Sequence, residues 1–337
     1  MSNILVTGGL GFIGSHTCVE LINAGFTPIV IDNLGNSEVW IKERIEKIVE
    51  QSITFYEGDC RDKELLNQIF TTHAIGGVIH FAAHKAVGES VSEPLKYYEN
   101  NLGGLTAILE TTQKHNCSNL VFSSSCTVYG TPDHLPVNES AQIKSAESPY
   151  GTTKIICEKI IQDLFAADPA YKAILLRYFN PIGAHSTSLI GELPLGIPSN
   201  LVPFITQTAA GIRESLTVFG NDYNTKDGSC VRDFIHVTDL AKAHIKALEF
   251  LINKKEGTCE AVNIGTGNGN TVLELISAFE KVSEQKLNYS IGKRRDGDVE
   301  AVYADAKKSK ELLGWEAKIS LEQSLLDAWN WQKTLKK

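Results

Sequence analysis

No two of the seven cysteines stand at the two-residue spacing of a redox or zinc motif. Cys18, Cys60, Cys117, Cys126, Cys157, Cys230 and Cys259 are scattered and odd in number. That leaves no metal or redox pair to read from the spacing, and most are expected to be small buried hydrophobes. Basic residues are also short: 32 Lys and Arg face 40 Asp and Glu, for a net charge of -8. A nucleic-acid binder would carry a basic stripe, so no nucleic-acid partner is expected, and anionic ligands must be met by local charge. No apolar run approaches the roughly 18 residues of a membrane helix, and no charged n-region with an apolar core opens the chain. The expectation is a soluble, cytoplasmic protein with no membrane partner. His80 and His84 lie four apart, but the glutamate a metalloprotease needs is missing from His80-Phe81-Ala82-Ala83-His84. That segment reads as a strand end entering a loop, and no metal is expected.

What the chain does have is alternation. Short apolar runs followed by turn signals predict strands at Asn3–Thr7, Pro28–Asp32, Ile53–Glu57, Gly77–His80, Asn119–Ser123 and Lys172–Tyr178. Helical periodicity fills the gaps at Ser15–Ala24, Val39–Glu50, Lys63–Thr72, Pro94–Lys114 and Tyr150–Ala167. Strict β/α alternation calls for a Rossmann-type, doubly wound parallel sheet covered by helices on both faces. Beyond about residue 180 the pattern gives way to segments punctuated by Pro181, Pro194, Pro198 and Pro203. At roughly 150 residues per domain, 337 residues suit two lobes. The expected division is a dinucleotide-binding domain over residues 1–179, with some later segments rejoining it, and a smaller α/β substrate lobe over most of residues 180–337. Helices near Leu273–Lys281 and Leu321–Lys333 read as packing elements.

Two constellations carry chemistry. The run Thr7-Gly8-Gly9-Leu10-Gly11-Phe12-Ile13-Gly14 follows a strand and opens a helix. Its glycines allow a tight turn and close approach of a pyrophosphate, with the helix N-terminus supplying amide donors. Asp32 ends the second strand, where a carboxylate accepts hydrogen bonds from an adenosine ribose and repels a 2'-phosphate, so NAD is expected rather than NADP. Downstream, Tyr150 and Lys154 share one helix face just after Ser123-Ser124-Ser125. An ammonium beside that phenol is expected to lower its pKa from the ordinary value near ~10 and make it an acid-base group.

The spacing of Thr7-Gly8, Gly11 and Gly14 with Ser125, Tyr150 and Lys154 resembles the extended short-chain dehydrogenase/reductase family over essentially the whole chain. The likeness is strongest to those members that epimerise UDP-hexoses at carbon 4. It rests on Asp32-Asn33-Leu34-Gly35-Asn36-Ser37, Lys85-Ala86-Val87-Gly88-Glu89-Ser90, Tyr178-Phe179-Asn180-Pro181 and Val231-Arg232-Asp233-Phe234-Ile235-His236-Val237. The resemblance implies that NAD lies among Gly8, Gly11, Phe12, Ile13, Asp32, Asn33, Leu34, Asn36, Ser37, Asp59, Cys60, Phe81, Ala82, Ala83, Lys85 and Asn100. It places Ser123, Tyr150, Lys154 and Tyr178 near the nicotinamide, with Ser125, Tyr150 and Lys154 catalytic. The UDP-hexose falls to Ser125, Tyr150, Asn180, Asn200, Leu201, Thr217, Val218, Phe219, Arg232, Arg295, Asp298 and Val302. Arg232 and Arg295 suit a pyrophosphate, and Phe219 an apolar face for uracil. The implied reaction passes hydride from carbon 4 to NAD and returns it to the other face, serving galactose metabolism.

Related nucleotide-sugar dehydratases eliminate water with an Asp-Glu pair after the fifth strand, and UDP-glucuronate decarboxylases carry a glutamate there. Cys126 and Thr127 occupy these positions and supply no carboxylate. A non-catalytic NAD sensor on the same sheet is the other reading, but it would not need Ser125, Tyr150 and Lys154 in register. Ala83 and His84 depart from the Gly-Leu of many members, and His84 is expected to be a solvated loop residue. Val302 aligns with the wall of the hexose pocket near carbon 2, where a bulky Tyr in some members is replaced by a smaller residue, so N-acetylated UDP-hexoses are expected to fit. A homodimer through Pro94–Lys114 and Tyr150–Ala167 is implied, with Leu105, Ile108, Leu109, Ile156 and Ile160 either interface or core.

Overall fold

The computed structural model describes residues 2–295 and 298–335. In the first half, strands and helices alternate: β1 (Asn3–Thr7), α1 (Phe12–Asn23), β2 (Thr27–Asp32), α2 (Trp40–Val49), β3 (Thr54–Glu57), α3 (Lys63–His73), β4 (Ile75–His80), α4 (Val87–Ser92), α5 (Pro94–Lys114), β5 (Asn119–Ser125), α6 (Pro149–Ala167) and β6 (Lys172–Tyr178). The expected elements are all present with ends shifted by a few residues. The helix after β1 begins at Phe12 rather than Ser15, because the glycine turn delivers the chain into helix before its apolar period starts. In the second half follow β7 (Asn180–Ile182), α7 (Leu201–Ala209), β8 (Leu216–Phe219), β9 (Val231–Arg232), β10 (Phe234–His236), α8 (Val237–Asn253), β11 (Thr258–Ile264), β12 (Asn270–Thr271), α9 (Val272–Ser283), β13 (Tyr289–Gly292), β14 (Ala301–Val302), α10 (Lys307–Leu313) and α11 (Leu321–Thr334).

Seven parallel strands form the main sheet in the order β11-β6-β5-β4-β1-β2-β3. The chain winds outward from β1 in both directions, so a crevice opens at the carboxyl ends of β1 and β4, where ligands bind in such sheets. Each central strand sends alternate residues into two cores. Ile4, Val6, Val30, Ile79, Val121, Ile174 and Leu176 pack with Leu240, Leu248 and Leu251 of α8. Leu5, Ile29, Ile31, Val78, Leu120, Phe122 and Leu175 pack with Leu66, Leu105, Ile108 and Ile161 of α3, α5 and α6. Burial on both faces is why these strands read as continuous apolar runs.

The second lobe has its own core, in which Ile182, Val202, Ile205, Leu216, Val218, Phe234, Leu275, Phe279 and Leu325 meet. Between its pieces the chain returns to the main sheet: α8 covers one face, and β11 pairs with β6 from Thr258↔Lys172 to Ile264↔Tyr178. No helix among the described residues is long and apolar enough to cross a membrane.

Candidate active site

Ser125 ends β5 opposite Tyr178 at the end of β6, and α6 lays Tyr150 and Lys154 over the same strand ends. Ser148 caps α6 by accepting from Gly151 N, with Pro149 in the first turn, so the start of the helix that carries Tyr150 is held in place. Ser125, Tyr150 and Lys154 are all buried. The Ser123 hydroxyl and the Tyr178 phenol lie 2.6 Å apart, and Lys154 Nζ donates to the Ser123 carbonyl at 2.7 Å.

The electrostatics correct one expectation. Lys154 Nζ sits 4.9 Å from the Phe122 ring centroid and 6.0 Å from that of Tyr150, committed to a backbone carbonyl rather than to the phenol. The Tyr150 phenol is pushed up, not down: burial comes first, Tyr178 adds to it, and a hydrogen bond with Ser125 opposes it. Burial likewise lowers Lys154 to about 8 and raises Tyr178 to about 12. Burial of the phenol outweighs an ammonium several ångströms away.

The crevice at the ends of β1 and β4 fits a dinucleotide. Gly8 has φ 67° and a Cβ there would lie 3.0 Å from Ala82 N, while a Cβ on Gly14 would lie 2.2 Å from the Gly8 carbonyl oxygen. Side chains are therefore excluded from the turn, and no side chain caps the first turn of α1 at Phe12 and Ile13, whose amides face an approaching anion. Asp32 organises the adjacent loop: its carboxylate accepts from Leu10 N at 3.0 Å, Leu34 N at 3.0 Å and Ser37 Oγ at 2.8 Å. Asn33 and Asn36 are exposed on that loop, and Leu34 has φ 57°. Asp59 is held below the usual carboxylate range chiefly by its Arg61 hydrogen bonds, with Asn33 Nδ2 at 3.4 Å. Cys60 is pushed up to about 12 by burial and is unreactive as a thiolate. Phe81, Ala82 and Ala83 are half-buried in the loop after β4, where Ala82 N donates to Thr7 Oγ1. Asn100 Nδ2 donates to Asn101 Oδ1, and Lys85 reaches across to Glu192 at 3.3 Å.

His80 and His84 do not converge on a ligand site. His80 Nδ1 lies 2.7 Å from Thr7 Oγ1 in the core. His84 is half-buried beside the Tyr97 ring, not a solvated loop residue, and burial lowers its pKa first. Among the described residues no group of three His, Cys, Asp or Glu side chains is arranged to hold a metal.

In the second lobe, several of the UDP candidates lie close together. Arg232 and Arg295 converge on Asp298, at 3.5 and 2.7 Å, and the Arg295 guanidinium lies 5.6 Å from the Phe219 ring centroid. Asn200 and Leu201 begin α7, Asn180 N donates to the Asp233 carbonyl, and Val302 pairs with Arg232 in a small parallel ladder. Along β8, Thr217 and Phe219 face outward while Val218 is buried in the lobe core, so only the Val218 backbone can meet a ligand. Asp296 and Gly297, inside the Lys293–Asp298 stretch, lie outside the described residues.

Three supporting residues escape the sequence reading. Glu158 follows Tyr150 and Lys154 at successive i+4 positions, a spacing visible in the sequence. Its carboxylate accepts from Arg177 at 2.9 and 2.6 Å and from Ser124 Oγ at 2.5 Å. Asp233 accepts from Thr266 N, Gly267 N and Ala304 N. Asn101 bridges the His84 backbone to Thr153 of α6.

A family model described as GDP-mannose 4,6 dehydratase matches residues 5–327. The UDP-glucose 4-epimerase of Bacillus subtilis (strain 168) is 51% identical over 98% of this chain and 97% of its own length. That of Dictyostelium discoideum is 52% identical over 98% of this chain and 95% of its own length. The chain belongs to the UDP-glucose 4-epimerase family of extended short-chain dehydrogenases/reductases. A crystal structure of UDP-glucose 4-epimerase from Bifidobacterium longum, in complex with NAD+ and UDP, matches with a TM-score of 0.95 at 45% identity over 98% of both chains. The dehydratase named by the broader model would need a carboxylate pair directly after β5. There the chain turns through Cys126 and Thr127, and burial pushes the Cys126 thiol up to about 12, so neither residue can serve as the acid or base of an elimination.

Proposed function

We propose that this chain interconverts UDP-glucose and UDP-galactose by inverting carbon 4 of the hexose, with NAD retained through each turnover. The observation that carries the reading is the pairing of Ser125 with Tyr178 at the ends of β5 and β6, beside Tyr150 in the first turn of α6, with no carboxylate following Ser125. When bound, NAD supplies a cationic nicotinamide that takes hydride from carbon 4 and returns it to the opposite face of the 4-keto sugar. Tyr150 acts as the phenolate, which the positive charge of a bound nicotinamide would favour against the burial that raises its pKa; in that form it takes the proton of the carbon-4 hydroxyl and later gives it back. Ser125, beside that phenol at the end of β5, orients the same oxygen, and Lys154 holds a positive charge on the Ser123 carbonyl nearby. Arg232, Arg295, Asp298, Phe219, Asn180 and Asn200 hold the nucleotide half, which leaves the hexose free to present either face. Gly8, Phe12, Ile13, Asp32 and Lys85 hold the cofactor.

Incubation of the purified protein with UDP-galactose, without added cofactor, should yield UDP-glucose on chromatography. Tyr150→Phe should lower that rate by about a hundredfold or more. No conversion even with NAD supplied, or a dehydrated product, would overturn the reading. Val302 is small and buried against Val128, Tyr129 and Phe179, which supports acceptance of UDP-GlcNAc and UDP-GalNAc as well. Wild-type turnover of UDP-GlcNAc should be lost in Val302→Tyr, and an inactive wild type would refute the extension. The same reading includes a cytoplasmic homodimer through α5 and α6. Leu105, Ile108 and Leu109 belong to the core, which leaves the half-buried Ile156 and Ile160 as contacts. Sedimentation at micromolar concentration should give twice the chain mass.

A further inference from the structure

The ligand candidates of the two lobes are joined by one side chain that neither set contains. Glu192 Oε1 accepts from Asn200 Nδ2 at 2.5 Å and from Lys85 Nζ at 3.3 Å. Lys85 follows β4 on the dinucleotide side, whereas Asn200 starts α7 in the second lobe. The Glu192 side chain is 12% exposed, against 44% for Lys85. Its backbone is held independently: the Glu192 carbonyl accepts from Trp331 Nε1 at 2.9 Å, and a Cβ on Gly191 would lie 2.5 Å from the Trp331 ring. The carboxylate is thus presented from a fixed point at the root of a segment in which Leu195 and Ile197 are exposed.

We infer that Glu192 is a positioning residue that couples the cofactor and nucleotide-sugar sites by holding Lys85 and Asn200 on one carboxylate oxygen. The inference rests on the proposed roles of Lys85 toward NAD and of Asn200 toward UDP. Donor capacity allows it: an ammonium has three N–H donors, and an amide retains a second N–H and its carbonyl oxygen. Each residue can keep its bond to Glu192 while reaching a ligand. Ordering Lys85 against the cofactor then orders Glu192, and through it Asn200, before the nucleotide arrives. A half-exposed lysine pair contributes little to stability, so the arrangement has its consequence in binding rather than in folding.

Coupling of this kind is reciprocal: if NAD improves UDP binding, UDP improves NAD binding by the same factor. The holoenzyme is dialysed to equilibrium against graded NAD, with and without saturating UDP, and bound NAD is read by absorbance after release. UDP should tighten NAD binding about fivefold or more in the wild type. In Glu192→Gln, which keeps the Asn200 bond and loses the charge on Lys85, the ratio should fall toward one, with Glu192→Ala at least as low and the melting temperature nearly unchanged. A wild-type ratio of one, or an unchanged ratio in both variants, overturns the coupling. Lys85→Ala with unaltered NAD affinity, or Asn200→Ala with unaltered UDP affinity, overturns it through its premise and identifies which assignment failed.

Discussion

Lys154 shows how one buried side chain sets activity against stability. Its folded pKa is about 8, below the ordinary 10.5, because burial penalises the ammonium. The unfolded chain therefore binds the proton more tightly, so stability attributable to this group is least below pH 8 and rises as pH climbs from about 8 to 10.5. Lys154→Met removes the buried charge at nearly constant shape. The variant should lose epimerase activity and be more resistant to urea than the wild type at pH 7, an advantage that shrinks toward pH 10. A difference in urea midpoint that is flat across that range would show that the ammonium is not what the pocket penalises. Tyr150 and Lys154 are legible in the sequence because i and i+4 share a helix face. The sense of the phenol's shift is not legible, since it depends on which acceptor captures the ammonium and on how dry the strand ends are.

Helix α6 illustrates the next scale. Arg177 of β6 makes a two-pronged pair with Glu158 of α6, both nearly inaccessible, and passes a further bond to the Tyr129 hydroxyl at 3.1 Å. Tyr129 in turn donates to Asn263 of β11 at 2.7 Å, so one polar chain ties the catalytic helix to the sheet edge. Leaving either charge alone in this core should cost roughly 3–5 kcal/mol, whereas removing both costs much less. Glu158→Met and Arg177→Met should each lower the urea midpoint strongly, and the double variant should recover part of the loss. Additive losses in that cycle would refute the clamp. Glu158 stands in helical register with Tyr150 and Lys154 in the sequence, but its partner lies 19 residues away in a strand that reads as plain apolar core. The same limit applies to β11, which joins β6 after a long excursion through the second lobe. Local alternation marks β1 through β6, while pairing across some 80 residues leaves no periodic trace. Helix α8 does carry a local signature, since Ala241, Ile245, Leu248 and Leu251 repeat at helical spacing.

At the scale of the whole molecule, three histidines are buried in the core around the main sheet. His16 on α1 and His80 at the end of β4 are lowered to about 3, and His244 on α8 to about 4, each first by burial. Among the described residues, His16 Nε2 and His244 Nε2 are buried without a hydrogen-bond partner, and His244 packs 4.7 Å from the Phe81 ring and 6.2 Å from that of Tyr178. All three folded values lie below the ordinary 6.5, so the unfolded chain takes up protons first, and stability is lost as pH falls from 6.5 toward 3. Each group costs up to about 1.4 kcal/mol per pH unit in that window. The three act in the same direction on a fold that is only about 5–15 kcal/mol more stable than its unfolded chain. The urea midpoint should therefore drop steeply between pH 6.5 and 5 at fixed NAD concentration. His244→Phe should make that slope shallower by about one proton, because the variant has no ring nitrogen left to titrate beside Phe81 and Tyr178. An unchanged slope in the variant would show that His244 takes no part in this acid lability, since a depressed carboxylate such as Asp59 gives up its share only as pH falls through the ordinary carboxylate range, below this window.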